Sequence, residues 1–230
     1  MTAMNPLVCR ALARVLAYPD AAVRAQLPAL AEVFAAERPL SRDARAALDA
    51  LVASIAAADP YDAEAAWVDC FDRGRTTSLW LFEHVHGDSR ERGQAMVDLA
   101  RTYEAAGLYL GEGELPDYLP VVLEFASTQP AAIARSFLAE TAPILNALHV
   151  ALARRGSRYA AAIGAALELT GERVAHVELP PEEPLDATWA EPPAFDGCST
   201  LGQSRPGTPQ PIHIVRRRDA PSTPRTGASS

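Results

Sequence analysis

W-V-D-C-F-D-R-G-R-T-T-S-L-W-L-F-E-H-V-H-G-D-S-R-E-R-G-Q-A-M-V-D, from Trp67 to Asp98, decides how this chain is read. It holds two of the three tryptophans, two of the six phenylalanines and two of the five histidines. Just upstream, Asp59-Pro60 offers an N-cap followed by proline at the first helical position. A helix is therefore predicted from Pro60 to Phe71, with Ala63, Trp67, Cys70 and Phe71 as its apolar stripe. Asp72-Arg73-Gly74-Arg75 breaks it. A second helix is predicted from Thr76 to His86; Leu79, Leu81, Phe82 and Val85 put apolar groups on more than one face, so it should be mostly buried. Gly87 suits its end, because glycine takes a left-handed backbone without a Cβ penalty. Asp88 is then placed to cap a third helix, with Glu91 three residues on in a capping-box arrangement. That helix turns Met96, Leu99, Ala100, Tyr103 and Ala106 inward and ends near Gly107.

Working outward, the same periodicity continues. Leu7 to Ala17 reads as a helix with a stripe of Leu7, Ala11, Arg14/Val15 and Tyr18, and Ala21 to Ala36 as another with Val23, Leu27, Leu30 and Phe34 inward. Pro28 is expected to shift the start of the latter or kink it. Ser41 caps a third, carrying Leu48, Leu51, Val52 and Ile55. Downstream, Glu114-Leu115-Pro116-Asp117-Tyr118 introduces a helix from Leu119 to Ser127. A long helix, Ala131 to Arg154, is expected to break or kink at Pro143, and Ser157 to Thr170 closes the series at Gly171. No alternating strand, hairpin turn or repeat is visible. The fold class is all-α: one globular helical domain of eight or nine helices over residues 1–179. Residues 180–230 hold 10 of the 19 prolines and many Ser, Thr and Gly, and read as a disordered tail. Within it, Trp189 to Phe195 and Ile212 to Arg218 are the two stretches with apolar or basic character.

Composition excludes several classes. The apolar share of 49% supports a real core, made mainly of Leu, Ala and Val because aromatics are only 7%. The net charge is −8, and all 21 basic residues are arginine, which argues against a nucleic-acid surface. Cys9, Cys70 and Cys198 are isolated and odd in number, so neither a disulfide framework nor a zinc site is expected, and a reducing cytoplasm is the default. Arg10 and Arg14 interrupt the first apolar segment, which is therefore not read as a signal peptide. No apolar run is read as approaching the ~18 residues of a membrane span, so no direct membrane insertion is expected.

The central stretch carries the candidate chemistry. Glu83, His84 and His86 resemble metal ligands only in type, since residues 84 and 86 of a helix point about 200° apart. A helical zinc pair needs histidines at i and i+4, so no metal site is assigned. No G-x-S-x-G elbow, phosphate loop or dinucleotide glycine motif is present, and no catalytic residues are assigned. Arg73, Arg75, Arg90 and Arg92 are suited either to an anionic ligand at helix ends or to corner-locking salt bridges with Asp69, Asp72, Asp88 and Glu91.

F-D-R-G-R-x-x-S-L-x-L-F-E-H-V-H-G-D-S-R-x-R-G-Q-A-M-V-D-L, from Phe71 to Leu99, resembles the nitrate reductase assembly chaperones, the delta-subunit or NarJ branch of the TorD-like redox-enzyme maturation proteins. E-L-P-D-Y-L-P-V-V-L-E-F, from Glu114 to Phe125, resembles the acidic-Pro-Asp-His hinge of the wider family, with Tyr118 where many relatives have histidine. A-R-V-L-A-Y-P-D, from Ala13 to Asp20, is also similar. The resemblance spans residues 7–179 and implies a TorD-like fold and no enzyme activity. It implies a cytoplasmic chaperone that binds the N-terminal segment of the apo catalytic (alpha) subunit of respiratory nitrate reductase. The subunit would be kept competent for molybdenum cofactor insertion and then released. Cofactor-delivery proteins are further implied partners, through a transient link rather than a permanently bound cofactor. The alternative is a permanent helical structural subunit of the complex. A helical groove that takes an apolar or amphipathic peptide is a general recognition mode. On this reading Trp80, Phe82 and Tyr118 are candidate anchors. Glu83, Asp117 and Glu124 are candidate partners for a basic peptide, and His84 and His86 are candidate pH-sensitive contacts.

Overall fold

Helix α1 (Pro6–Leu16) starts where the sequence supplies a cap: the Asn5 side chain accepts from the Leu7 backbone N–H at 2.8 Å, with Pro6 at the first helical position. The structure, a computed structural model, describes residues 4–36, 40–87, 89–175 and 177. Among these it contains nine α-helices and no strand, as the periodicity predicts. The expected tail from residue 180 lies outside the described residues.

The other helices begin and end for equally local reasons. In α2 (Ala21–Ala36), Asp20 accepts from the Val23 N–H at 2.8 Å. In α3 (Arg42–Ala57), Ser41 Oγ accepts from Ala44 N, and Arg24 closes the far end by donating to the carbonyls of Ile55 and Ala58. In α4 (Pro60–Phe71), Asp59 accepts from Tyr61 N at 2.9 Å. After a 3-10 turn (Arg75–Thr77) come α5 (Leu81–Val85), α6 (Glu91–Ala105), α7 (Leu119–Thr128), α8 (Ala131–Arg154) and α9 (Ala160–Thr170). Gly171, at φ 91°, takes the left-handed position that ends α9.

Helix α1 is the centre of the packing: α7, α2 and α9 lie against it, α8 packs along α9, and α3 reaches both α2 and α9. Buried on several sides, α1 hides Val8, Cys9, Ala11, Leu12, Ala13, Val15 and Leu16. Leu7 and Tyr18, read from sequence as part of its stripe, are 51% and 40% exposed instead. Helix α4 is joined to this core through aromatic side chains. Trp67 donates its indole N–H to the Leu16 carbonyl at 2.9 Å, and Phe71 lies between the rings of Trp67 and Tyr159 at 5.3 and 4.9 Å.

Both internal prolines are tolerated. Pro28 and Pro143 sit on exposed helix faces, where water can take the carbonyl that the ring leaves unpaired, and α2 and α8 run through them unbroken. Helix α8, at 24 residues with a mean hydropathy of 1.2 over its most apolar window, is long and apolar enough to cross a membrane. That corrects the expectation that no run reaches this length. Its Leu138, Leu145, Leu148 and Leu152 are buried within the bundle.

Candidate functional site

The predicted helix from Thr76 to His86 does not form as one piece. A continuous helix would bond Phe82 N–H to the Ser78 carbonyl and Leu81 N–H to the Thr77 carbonyl. Both donors go elsewhere. Phe82 N–H donates to Asp117 Oδ2 at 3.0 Å, and Leu81 N–H donates to the Asp117 carbonyl at 3.0 Å. The vacated Ser78 carbonyl accepts from His84 Nε2 at 2.8 Å, and Ser78 Oγ accepts from Trp80 N–H at 3.2 Å. The chain thus runs from the 3-10 turn through an extended segment into the short α5. That extended segment pairs with the residues before α7. Trp80 and Tyr118 form an antiparallel bridge, flanked by Leu119 N–H to the Leu79 carbonyl at 2.9 Å, and their rings lie 5.3 Å apart.

Two further contacts fasten this clasp. Arg155, just past α8, donates to Thr77 Oγ1 at 3.1 Å, tying the 3-10 turn to the end of the longest helix. Tyr103, the one fully buried residue of α6, donates its hydroxyl to the Pro116 carbonyl at 2.8 Å and packs on Phe125 at 4.4 Å between ring centres. The other expected inward residues of α6, Met96, Leu99 and Ala100, are only half-buried, and Ala106 is exposed. Helix α6 packs mainly on α5, so most of its length lies at the edge of the bundle.

Asp117 is the electrostatic centre. It is 0% exposed, and burial raises its carboxyl above the ordinary range; the Phe82 N–H and the charge of Arg92 act in the opposite direction. Arg92 reaches toward Glu83, with Nη2 to Oε1 at 3.6 Å. Among the described residues, Asp117 Oδ1 and Arg92 Nε are buried without a hydrogen-bond partner. Beside Arg92 an open pocket of about 540 Å³ is lined by Gly87, Ser89, Arg90, Arg92, Gly93 and Met96. Burial also raises the Tyr118 phenol to about 12, so that hydroxyl stays neutral across physiological pH.

The predicted site residues are therefore only partly brought together. Trp80, Phe82, Glu83, His84, Asp117 and Tyr118 share the clasp, and His86 packs edge-on against Phe82 at 5.5 Å and lies 4.0 Å from Glu91. Asp117 is buried as the cap on α5, so a client group would meet it inside the clasp rather than on the open surface. Glu124 is exposed on α7, and no hydrogen bond or ion pair joins it to the clasp among the described residues. At the corners, Asp72 ends α4, and Arg73 pairs with Asp69 at 2.8 Å on the open surface, where such a bridge contributes little. The Arg75 guanidinium lies beside Gly87, and Arg90 precedes α6 without a side-chain cap. Asp88 lies outside the described residues, and with it the expected capping box. No group of three or more metal-ligating side chains occurs among the described residues. Arg155 and Ser78 were missed from sequence. Ser78 sits in a helical pattern, and Arg155 acts 78 residues away from its partner Thr77.

Asp117 gives a prediction with a definite sign. Asp117→Ala should cost about 1 kcal/mol through loss of the cap on α5. Asp117→Asn keeps an acceptor for the Phe82 N–H and removes a charge that the interior disfavours. Because the folded carboxyl titrates above its unfolded value of 3.8, the folded state binds the proton more tightly. Wild type should then lose stability as pH rises from the unfolded value through the folded one, while the Asn variant does not. Urea unfolding of both proteins across that window checks it; parallel pH profiles would refute the assignment.

Residues 18–164 match the family model described as nitrate reductase delta subunit. The chain is 42% identical over 191 residues to the nitrate reductase molybdenum cofactor assembly chaperone NarJ of Escherichia coli K12, covering 78% of this chain and 80% of that protein. It is 45% identical over 140 residues to the probable assembly chaperone NarW of the same organism, covering 56% and 61%. Against the probable NarJ of Bacillus subtilis 168 it is 34% identical over 166 residues, covering 71% and 89%.

Proposed function

The chain belongs to the nitrate reductase delta subunit family, and from that premise we propose that it is an assembly chaperone for a respiratory nitrate reductase. It binds the N-terminal region of the apo catalytic subunit in the cytoplasm, keeps that subunit competent for molybdenum cofactor insertion, and is not part of the finished enzyme. Its link to the cofactor is transient and passes through the client and cofactor-delivery proteins.

The clasp is the observation that carries this reading. It holds Trp80 and Phe82 half-buried at the junction of the 3-10 turn, α5 and the start of α7, on backbone fixed from both sides. Partly exposed aromatic groups on a rigid frame are what a peptide anchor site needs. The bridge is closed to a third strand. Trp80 N–H is taken by Ser78 and its carbonyl by Glu83 N–H, while Tyr118 N–H goes to Leu115 and its carbonyl to Val122 N–H. Strand addition is therefore disfavoured, and the client is read by its side chains, as a helix in a groove is.

Calorimetric titration with a peptide from the N-terminus of the cognate catalytic subunit tests the proposal. Saturable one-to-one binding is expected. Absence of binding, together with failure of the full apo subunit to retain the protein in a pull-down, would overturn it. Stoichiometric co-purification with cofactor-loaded enzyme would favour the permanent-subunit reading, which the family's description as a subunit keeps in view.

A further inference from the structure

The interior of the clasp holds a charge arrangement that is incompletely satisfied. Two carboxylates, Glu83 and Asp117, face one guanidinium, Arg92. The Glu83–Arg92 separation of 3.6 Å is longer than the ~2.8 Å of a charge-assisted hydrogen bond. Asp117 is fully buried, yet its Oδ1 has no partner among the described residues, and neither does Arg92 Nε. A buried carboxylate oxygen without a donor is costly, as is a buried guanidinium N–H without an acceptor. Here the two sit in one network without bonding each other.

We propose that Glu83 and Asp117 form a seat for a guanidinium or ammonium group of the client peptide, and that Arg92 occupies this seat in the free protein as an intramolecular stand-in. The proposal rests on the reading of the clasp as the client site and names one chemical feature that the client must carry there. Three observations support it. The seat contains an acceptor, Asp117 Oδ1, that the resident cation leaves unused. Among the described residues the resident cation is held by one long pair at partly exposed side chains, 26% for Arg92 and 29% for Glu83, so a better-placed donor can displace it. The displaced side chain also has somewhere to go, because Arg92 lines the open pocket of about 540 Å³ at the start of α6.

The exchange is balanced in charge. A client arginine or lysine enters, Arg92 swings out to water, and the number of buried ions does not rise. That removes the main penalty of bringing a charged peptide group into a protein interior, which is desolvating an ion without a counter-ion. It also gives selectivity. A client segment without a correctly placed cation leaves Arg92 in the seat and must bind around it. The other charged groups nearby do not duplicate the seat: Glu91 is exposed and faces His86, and Arg90 lines the pocket on the solvent side.

The test is titration of the full chain with the N-terminal peptide of the catalytic subunit, for wild type, Arg92→Gln, Glu83→Gln and the double variant. Removing the competitor should make Arg92→Gln bind about five- to tenfold more tightly than wild type. Glu83→Gln should bind more weakly, and the gain from Arg92→Gln should disappear in the double variant. A peptide with its arginines and lysines replaced by glutamine should bind wild type and Arg92→Gln equally. Should Arg92→Gln unfold, Arg92→Met keeps the packing of the alkyl stem and replaces it in the comparison. Wild-type binding with equal or weaker binding by the arginine variants overturns the stand-in while leaving the chaperone reading intact. No binding by wild type or any variant overturns both.

Discussion

Replacing Phe71 by alanine is expected to cost the helical bundle about 3–5 kcal/mol, the usual range for truncating a buried aromatic residue to alanine. For a domain of this size that corresponds to a fall in melting temperature of roughly 6–20 °C. Phe71 is the last residue of α4 and is 1% exposed. Its ring is the middle member of a chain of aromatic contacts: Tyr18 on Trp67 at 5.4 Å, Trp67 on Phe71 at 5.3 Å, and Phe71 on Tyr159 at 4.9 Å. The cavity left by alanine would separate α4 from the turn that leads into α9. Little can collapse into it, because Trp67 is pinned by its indole bond to the Leu16 carbonyl. Chemical unfolding followed by circular dichroism measures the loss, with Val97→Ala on the exposed face of α6 as the control, expected within about 0.5 kcal/mol of wild type. A loss below about 1 kcal/mol at Phe71 would mean that the end of α4 is not part of the core. It would also mean that the clasp, which begins a few residues later, is anchored from another side.

The parts of the fold that sequence predicts well are those with local causes. Asp59-Pro60 opens α4 and Asn5-Pro6 opens α1 through hydrogen bonds that span two residues, and such signals are written in adjacent positions. Two kinds of cause are not. The stripe of α1 is misread because three neighbouring helices bury it, and a helix buried on several sides has no single apolar face to find. The segment after Thr77 is misread because its hydrogen-bond partner, Asp117, lies 35 residues further on. Leu79, Leu81, Phe82 and Val85 satisfy a helical period, yet the bonds that such a helix needs are claimed by Asp117 and by the His84 ring. The candidate site shares this division. The family resemblance groups Trp80, Phe82, Tyr118 and Asp117, and in the fold the Trp80–Tyr118 bridge and the Phe82–Asp117 bond join the two segments that carry them. What the motif does not disclose about Asp117, a candidate partner for a basic peptide, is that it is buried and caps α5. Among the described residues, the acid that Arg92 meets is Glu83, across from α6 on α5.

Trp80→Ala combined with Phe82→Ala should weaken binding of the client peptide by about 2–4 kcal/mol, or roughly 30- to 1,000-fold in Kd. The magnitude follows from what the two side chains are. Both are large, both are half-buried in the free protein, and each rests on a second ring, Trp80 on Tyr118 and Phe82 on His86. An aromatic group already held in place loses little conformational freedom on binding, so most of its contact area counts toward affinity. The same substitutions should leave the frame standing. The bridge, the Leu119–Leu79 bond and the cap on α5 are all made by main-chain atoms or by Asp117, and alanine at either position keeps every one of them. The double variant should therefore keep wild-type helicity while losing the client, a combination that separates an anchor from a core residue. A folded double variant with unchanged affinity would remove Trp80 and Phe82 as anchors. Recognition would then have to lie at the α6 edge, where Met96 and the two arginines line the open pocket, and substitution of Met96 would become the informative next step.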